Sequence, residues 1–433
     1  MLSVLKNGRF ARLWLGQSIS FLGDWLDVLA LLSLLAFRWH ASPFELSLFG
    51  LFMALPWAII GPFAGVFADR WNRKGTMIAA DLLRAAIVLG YLAADSVLQV
   101  YVLLALKGAV STFFSPARLA TIKQIVPEEG LLSANSLSQL SLQFTKIIGP
   151  AVGGVLVVAF GESFCFWADS LSFLASAALI ATVALPTRRA KPLEPGAAVP
   201  GVAVATDIAA PRTPTGWAAF VGDFRAGLRH IIGSPPLLWT VLLTAAIAFS
   251  IGLLDGVFVA FIRETLGASP QVMGGLMAAV GIGATVSVVW AGQYGRRFSR
   301  EGLCISGTLG MGVGIVLVSA VTYTALLTPG LIIGFALLAG LGVGLASVAL
   351  PTLLQTHTPD EKMGRVSAAT DSLATGVQLV SFPSSGALAG AIGAASVLLG
   401  GGLALTLAGL AGWGTMPARG KGRAETGTAT AGD

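Results

Sequence analysis

The chain has 433 residues, of which 55% are hydrophobic and only 11% carry a charge. Charged residues make up about 25% of an average soluble domain, so this composition excludes a soluble enzyme and a nucleic-acid-binding protein. The net charge of +6 therefore has to be interpreted from the positions of the basic residues. The two cysteines, Cys165 and Cys304, stand in apolar segments, and they predict neither a disulfide framework nor a zinc site.

Apolar segments of about 20 residues or more, long enough to cross a bilayer, recur along the whole chain. The first of them is too long for the hydrophobic part of a signal peptide, and no small-residue cleavage site interrupts it. The sequence thus predicts an all-α integral membrane protein with twelve transmembrane helices. We predict these spans at residues 12–37, 45–68, 75–94, 97–117, 135–160, 164–186, 237–262, 270–292, 302–325, 328–352, 367–390 and 393–414.

The positions of Lys and Arg test this arrangement. If the N-terminus is cytoplasmic, 22 of the 27 basic residues fall in inner segments and only Arg38 and Arg263 in outer loops. The remaining three, Arg84, Lys107 and Lys146, lie within spans. This asymmetry follows the positive-inside rule and predicts that both termini are cytoplasmic. The basic net charge therefore reflects membrane topology, and nucleic acid is not an expected partner.

A segment without helical periodicity separates the chain into two halves. It is rich in Pro, Ala and Val, which is typical of a flexible linker. Beyond it, apolar residues recur from Trp217 to Ile231 at helical spacing and predict an amphipathic helix at the inner membrane interface. A merely solvated helix is the alternative. The predicted organisation is an N-terminal six-helix bundle at 1–186, a cytoplasmic linker at 187–216, a C-terminal six-helix bundle with a leading amphipathic helix at 217–415, and a disordered cytoplasmic tail at 416–433.

Corresponding places in the two halves carry similar residues. GVFADRWNRK at 65–74 follows span 2, and WAGQYGRR at 290–297 follows span 8. Likewise Pro-Glu-Glu at 127–129 follows span 4, and Pro-Asp-Glu at 359–361 follows span 10. This indicates an internal duplication in which both halves run in the same direction. Transporters that rock two halves around a substrate site at the bilayer midplane are built from such repeats.

Residues 65–74 resemble the G-x-L-A-D-R-x-G-R-K motif of the major facilitator superfamily. Phe67 and Asn72 replace the Leu and the second Gly, although Asn tolerates the left-handed conformation that a tight turn needs. The resemblance covers essentially the whole chain and implies that this loop ties the two halves together on the cytoplasmic side. The matching residues are Gly65, Ala68, Asp69, Arg70, Arg73 and Lys74. Of these, the predicted cytoplasmic gate comprises Gly65, Asp69, Arg70, Arg73 and Lys74.

A second stretch, in span 5, is similar to the G-P-x-x-G-G end of the family's antiporter motif. It comprises Gly149, Pro150, Gly153 and Gly154, whereas Ser136 and Thr145 stand where further glycines are expected. The stretches 10–17, 114–118 and 169–174 resemble bacterial macrolide-efflux and enterobactin-exporter-like proteins. The pair Gly23-Asp24 and the residues 115–118 are also similar to lysophospholipid transporters. These resemblances imply proton antiport, a bacterial inner (plasma) membrane location and an amphipathic substrate.

Charged residues inside the spans are candidates for coupling transport to a gradient, because they are costly in a bilayer and usually functional. No phosphate-binding G-x-x-x-x-G-K-[ST] segment and no metal-ligand spacing occurs in the sequence, so neither ATP nor a cofactor is expected. Asp24 and Asp27 in span 1, Lys107 in span 4 and Lys146 in span 5 lie at similar depth. We predict that they converge into a proton-coupling cluster. The alternative is a static network of ion pairs that holds the helices together.

Further charges inside the spans have secondary roles in this interpretation. Asp81 and Arg84, three residues apart in span 3, predict a local ion pair. Asp169 and Asp255 stand toward the outer ends of spans 6 and 7, where gating, substrate binding and simple solvation are all compatible with the sequence. Asp371 stands near the inner end of span 11 and is a candidate for the cytoplasmic gate.

Together these features predict a monomeric secondary active transporter rather than an enzyme. It exports an amphipathic small molecule by proton antiport with alternating access, and its partners are that substrate, protons and membrane lipid. The alternatives are a proton-coupled uptake symporter, a lysophospholipid transporter or flippase, and a non-transporting membrane sensor.

Overall fold

A computed structural model describes residues 2–184, 217–324, 328–359 and 362–415. The predicted linker at 187–216 and the predicted tail at 416–433 lie outside these residues. Within the described ranges the regular structure is helical. The α-helices are α1 (Gly8–Ser33), α2 (Pro43–Arg70), α3 (Arg73–Gly90), α4 (Val97–Ile125), α5 (Glu128–Phe160), α6 (Glu162–Ala181), α7 (Trp217–Ile232), α8 (Pro235–Ala260), α9 (Pro270–Tyr294), α10 (Arg300–Ala320), α11 (Pro329–His357), α12 (Met363–Ile392) and α13 (Ala394–Thr415).

The helices follow the predicted spans in order, and the prediction of an all-α membrane protein is confirmed. In the described part of the chain, eleven helices are long and apolar enough to cross a membrane. The helix α12, which covers the eleventh predicted span, is not among them, because Ser, Thr, Asp371 and Gln378 interrupt its apolar residues. The predicted amphipathic helix is present as α7, and its Arg225 and Arg229 are exposed.

Polar side chains at the helix starts explain several of the observed boundaries. The side chains of Asn7, Ser96 and Ser299 accept hydrogen bonds from backbone N–H groups in the first turns of α1, α4 and α10. Asn72 caps α3 in the same way, accepting from the N–H of Gly75 at 3.0 Å. Its backbone is extended, with φ of −67°. The expectation of a left-handed turn at Asn72 is therefore wrong, and its side chain serves as a helix cap.

The described residues form two compact units. The first comprises the described residues within Met1–Arg229 and Gly267–Ala278, and the second comprises those within His230–Leu266 and Ala279–Asp433. In the first unit, α1 packs against α5 and α6, α3 packs against α4 and α6, and α2 packs against α4. An apolar core in this unit includes Phe10, Leu13, Met77, Phe114, Ile122 and Ile180.

In the second unit, α8 packs against α12 and α13, and α10 packs against α11 and α13. Small residues allow the helices to approach closely. A Cβ atom on Gly252 or Gly256 would overlap serines of α12, and one on Gly342 of α11 would overlap the backbone of α10. This unit is therefore held together by close backbone contact as well as by apolar side chains.

Candidate functional site

Lys107 on α4 lies in contact with three carboxylates in the first unit. Its Nζ is 2.6 Å from Oδ2 of Asp27, 2.8 Å from Oδ1 of Asp24 and 3.4 Å from Oδ2 of Asp169. The first two aspartates stand on α1 and the third on α6. A single ammonium group thus connects three helices. We call these four residues the Lys107 cluster.

The members of the Lys107 cluster differ in exposure. Asp27, Asp169 and Lys107 are buried, whereas the side chain of Asp24 is 34% exposed. Asp24 is therefore the accessible member of the cluster. Oδ1 of Asp27 is buried and has no hydrogen-bond partner among the described residues. That oxygen is a free acceptor position within an otherwise paired group.

The charges of the Lys107 cluster do not balance. With every group ionised, one ammonium faces three carboxylates, and the cluster has a net charge of about −2. Uncompensated charge is costly away from water, and such groups are neutralised by protonation or by pairing. The arrangement can therefore bind protons, with the protons carried on carboxylate oxygens.

One oxygen atom from each of the three carboxylates lies within 4.8 Å of the others, a spacing that can hold a metal ion. However, the ammonium of Lys107 is within ion-pair distance of all three groups. It occupies the place that a cation would take and repels other positive charges. The donor set therefore fits a proton site better than a metal site.

A glycine allows α6 to approach α1 beside the cluster. A Cβ atom on Gly23 would overlap Oγ of Ser172 and Oδ1 of Asp169. Ser172 donates a hydrogen bond to that same Oδ1 at 3.1 Å. The absence of a side chain at Gly23 thus lets Asp169 reach the lysine on α4, with Ser172 orienting its carboxylate.

The predicted ion pair of Asp81 and Arg84 is present on α3, and both side chains are buried. The guanidinium of Arg84 lies 4.4 Å from the ring centroid of Phe173 and 4.6 Å from that of Phe114. Nζ of Lys107 lies 5.2 Å from the same Phe173 ring. Cations attract aromatic faces, so Phe173 connects the ion pair of α3 with the Lys107 cluster.

The prediction that Lys146 converges with Asp24, Asp27 and Lys107 is wrong. Its side chain is exposed, and within the described residues it forms no ion pair. Asp169, which was expected near the outer end of its span, joins the cluster in its place. Counting residues along a helix gives the depth of a side chain but not the neighbours it meets. The one available signal for Asp169 was its position as an acidic residue in an apolar segment.

Asp255 on α8 and Asp371 on α12 belong to the second unit. Both side chains are exposed, and neither forms an ion pair with any described residue. They do not form a second charged cluster of the kind seen around Lys107. Their roles as gating or substrate residues remain predictions.

The predicted cytoplasmic gate is described in part. Residues 65–70, which include Gly65, Asp69 and Arg70, form the end of α2, and their side chains lie outside the described part of the structure. Arg73 donates to the carbonyl of Ala120 at 3.3 Å, and Lys74 donates to those of Ala181 and Val183 at 2.6 and 2.9 Å. Lys74 thereby satisfies carbonyls at the C-terminal end of α6, which favours positive charge.

The glycines of the antiporter-type motif lie at close contacts of α5. A Cβ atom on Gly149 would overlap the indole of Trp25, and one on Gly153 would press against Leu29, both on α1. Gly154 faces the backbone at the start of α9, within the first unit. Pro150 stands inside the helix. The motif therefore lets α5 approach α1 at Trp25 and Leu29, each of which lies two residues from Asp27.

Comparison with known proteins identifies relatives of the same architecture. The family described as Major Facilitator Superfamily matches residues 13–380. An uncharacterised MFS-type transporter, YfiS of Bacillus subtilis, is 30% identical over 91% of this chain and 90% of its own length. The multidrug efflux pump Tap of Mycolicibacterium fortuitum is 24% identical over 88% of this chain and 90% of its own. The crystal structure of a mutant of the nucleoside transporter NupG superposes with a TM-score of 0.73 at 8% identity, covering 94% of this chain and 99% of that one, and shows the shared fold.

Proposed function

We propose that this chain, which belongs to the Major Facilitator Superfamily, is a proton antiporter that exports amphipathic small molecules. Its family is one of membrane transporters, its relatives are bacterial, and its location is the inner (plasma) membrane. The proposal adds the direction of transport, the coupling ion and the substrate class. It also includes alternating access by a monomer with cytoplasmic termini.

The observation that carries the proposal is the unbalanced charge of the Lys107 cluster. Three carboxylates around one ammonium bind protons more readily than a closed one-to-one ion pair does. The partial exposure of Asp24 supplies a point of entry for a proton, while Asp27 and Asp169 are shielded from solvent. An intramembrane ionisable group of this kind is by default a candidate functional site.

Protonation changes the forces that hold Lys107. When a proton binds to Asp27 or Asp169, that carboxylate loses its charge and much of its attraction for the ammonium. Lys107 has a flexible four-carbon stem and stays with the carboxylates that remain ionised. Because its partners lie on α1 and α6 while Lys107 lies on α4, proton binding alters the attraction among three helices. A difference in proton affinity between two packings of these helices is what coupling requires.

The assignment of the substrate class rests on the relatives. Tap is named as a multidrug efflux pump, and it aligns over most of both chains. No substrate is assigned to YfiS by its name. We therefore propose export of drug-like amphiphiles. The resemblance of residues 10–17, 114–118 and 169–174 to macrolide-efflux and enterobactin-exporter-like proteins adds macrolide-like and siderophore-like amphiphiles to this class, and transport of a lysophospholipid is the second candidate.

The test uses purified protein in liposomes that contain a pH-sensitive dye. Ethidium serves as a cationic probe, dansylaminoundecanoic acid as an anionic probe and lysophosphatidylethanolamine as the lipid probe. We expect one of the first two to move against an opposing proton flux, and a protonophore to abolish its accumulation. Asp27→Asn should eliminate coupling, whereas the exposed loop residue Asp95 provides the matched control Asp95→Asn, which should retain it.

Each alternative has its own result. Proton flux in the same direction as the probe identifies an uptake symporter. Movement of the lysolipid alone identifies a lysophospholipid transporter, and no proton flux with any of the three probes favours a sensor. Full coupling in Asp27→Asn would show that the Lys107 cluster is a static ion-pair network.

A further inference from the structure

A second charged position lies between α1 and α4, closer to the C-terminal end of α4 than the Lys107 cluster. Nη1 of Arg118 donates to Oε1 of Gln17 at 3.4 Å. Gln17 is 1% exposed, and its Nε2 has no hydrogen-bond partner among the described residues. Arg118 is half-buried, and in the described part of the chain no carboxylate lies within ion-pair distance of it.

Arg118 and Gln17 share helix faces with the Lys107 cluster. Arg118 follows Lys107 by eleven residues, which places it about 16 Å further along α4 and only about 20° around its axis. Gln17 precedes Asp24 by seven residues, about 10 Å along α1 and again only about 20° around the axis. The same two helix faces thus carry surplus negative charge at one level and, at another, a guanidinium that pairs with no described carboxylate.

We propose that Arg118 and Gln17 bind an anionic group of the transported amphiphile, such as a carboxylate, a phosphate or a sulfate. This inference rests on the proposed export function and names the charge of its substrate. A guanidinium offers several N–H donors in a planar fork that matches carboxylate and phosphate oxygens. The described contacts use only one of these donors, for a long hydrogen bond to a neutral amide.

Gln17 has the role of a positioning residue in this site. Its Oε1 orients the guanidinium, while its Nε2 is a buried donor that lacks an acceptor among the described residues. Buried donors without acceptors are uncommon and unfavourable. An anionic group that binds beside Arg118 provides an acceptor for both residues. The surplus negative charge at Asp24 and Asp27 disfavours the same anion at the Lys107 cluster, so the two sites attract opposite charges.

Equilibrium binding to purified protein in uncharged detergent tests the proposal without relying on transport. The probes are dansylaminoundecanoic acid and its trimethylammonium analogue with the same chain, at about pH 8, where the carboxyl group is ionised. We expect Arg118→Gln to weaken binding of the acid at least about tenfold, the effect of losing one charge-assisted hydrogen bond. Binding of the ammonium analogue should change less than about twofold. Gln17→Leu should weaken binding of the acid less than Arg118→Gln does, and Arg118→Lys should restore part of it.

The exposed Arg229 on α7 provides the matched control Arg229→Gln, which should bind the acid as the unmodified protein does. Unchanged binding of the acid to Arg118→Gln, or an equal loss of binding of both probes, would overturn the proposal.

A lipid headgroup is the other source of an anionic group. Nanodiscs of phosphatidylcholine with and without phosphatidylglycerol separate the two sources. If Arg118→Gln weakens binding of the acid only in nanodiscs that contain phosphatidylglycerol, Arg118 is assigned to the lipid and the proposal is overturned.

The outcome is independent of the coupling test. If Asp27→Asn retains proton coupling while Arg118→Gln binds the acid more weakly, the coupling proposal fails and the anion site stands. If Asp27→Asn loses coupling while Arg118→Gln binds both probes normally, the coupling proposal stands and the anion site fails.

Discussion

Lys107 and Asp27 form a buried ion pair in which Nζ lies 2.6 Å from Oδ2, while Oδ1 of the same carboxylate has no hydrogen-bond partner among the described residues. The same Nζ also lies within ion-pair distance of the carboxylates of Asp24 and Asp169. Removal of one member of a buried ion pair costs more than the pair contributes, because the other charge is left uncompensated. Lys107 is the only cation of the cluster, so its removal leaves three acids together.

Lys107→Met should therefore destabilise the protein at neutral pH by about 3–5 kcal/mol. This loss in the free energy of unfolding should become smaller as the pH falls, because protonation of the carboxylates removes the negative charges that the lysine had compensated. Thermal unfolding of purified protein at about pH 8 and about pH 5.5 measures both effects. The exposed Lys146 supplies the control Lys146→Met, which should change stability by less than about 0.5 kcal/mol at either pH. An equal deficit at both pH values would contradict a charge-based explanation.

Gly23→Ala should destabilise the protein by about 1–3 kcal/mol, because its Cβ would overlap Ser172 and Asp169 and push α6 away from α1. Gly61→Ala on α2 is the matched control, since outside its own stretch of helix no described atom lies within 4 Å of the position of its Cβ. That control should be neutral or stabilising by about 1 kcal/mol, owing to the higher helix propensity of alanine. Thermal unfolding of the two variants side by side measures the difference, and equal behaviour would refute the close approach at Gly23.

Arg84→Gln leaves Asp81 buried without its cation and should lower stability by about 3–5 kcal/mol. The double variant Asp81→Asn/Arg84→Gln removes both charges and should recover most of that loss. A double-mutant cycle measured by unfolding gives the coupling energy of the pair. Additive effects of the two substitutions would show that the pair contributes no interaction of its own.

Asn72→Ala should cost about 1 kcal/mol, the usual effect of removing a helix N-cap, whereas Asn72→Gly should cost only a few tenths. The family motif has glycine at this position, so the second variant restores its pattern. A left-handed backbone at residue 72 would instead make the glycine variant more stable than the natural protein. Unfolding curves for the two variants distinguish these conformations.

Much of the fold follows from local properties of the sequence. Every predicted span except the eleventh can be recognised alone, because a membrane-crossing helix must be apolar over its own length and must satisfy its own backbone hydrogen bonds. The ends are less well predicted. The helix α4 continues to Ile125 rather than 117, and α5 begins at Glu128 rather than 135. At these ends the helices continue through polar residues, beyond the apolar segments from which the spans are predicted.

The candidate site needed more than local information. Asp24, Asp27 and Lys107 were identified because charge inside an apolar span is rare and costly. Composition and hydropathy, together with the loop motif, were therefore sufficient to predict the family, the helices and the candidate charges. Only helix packing shows that Asp169 meets Lys107 while Lys146 is exposed. The rotation of each helix and the close approach at Gly23 depend on contacts between segments far apart in the chain, which no single span contains.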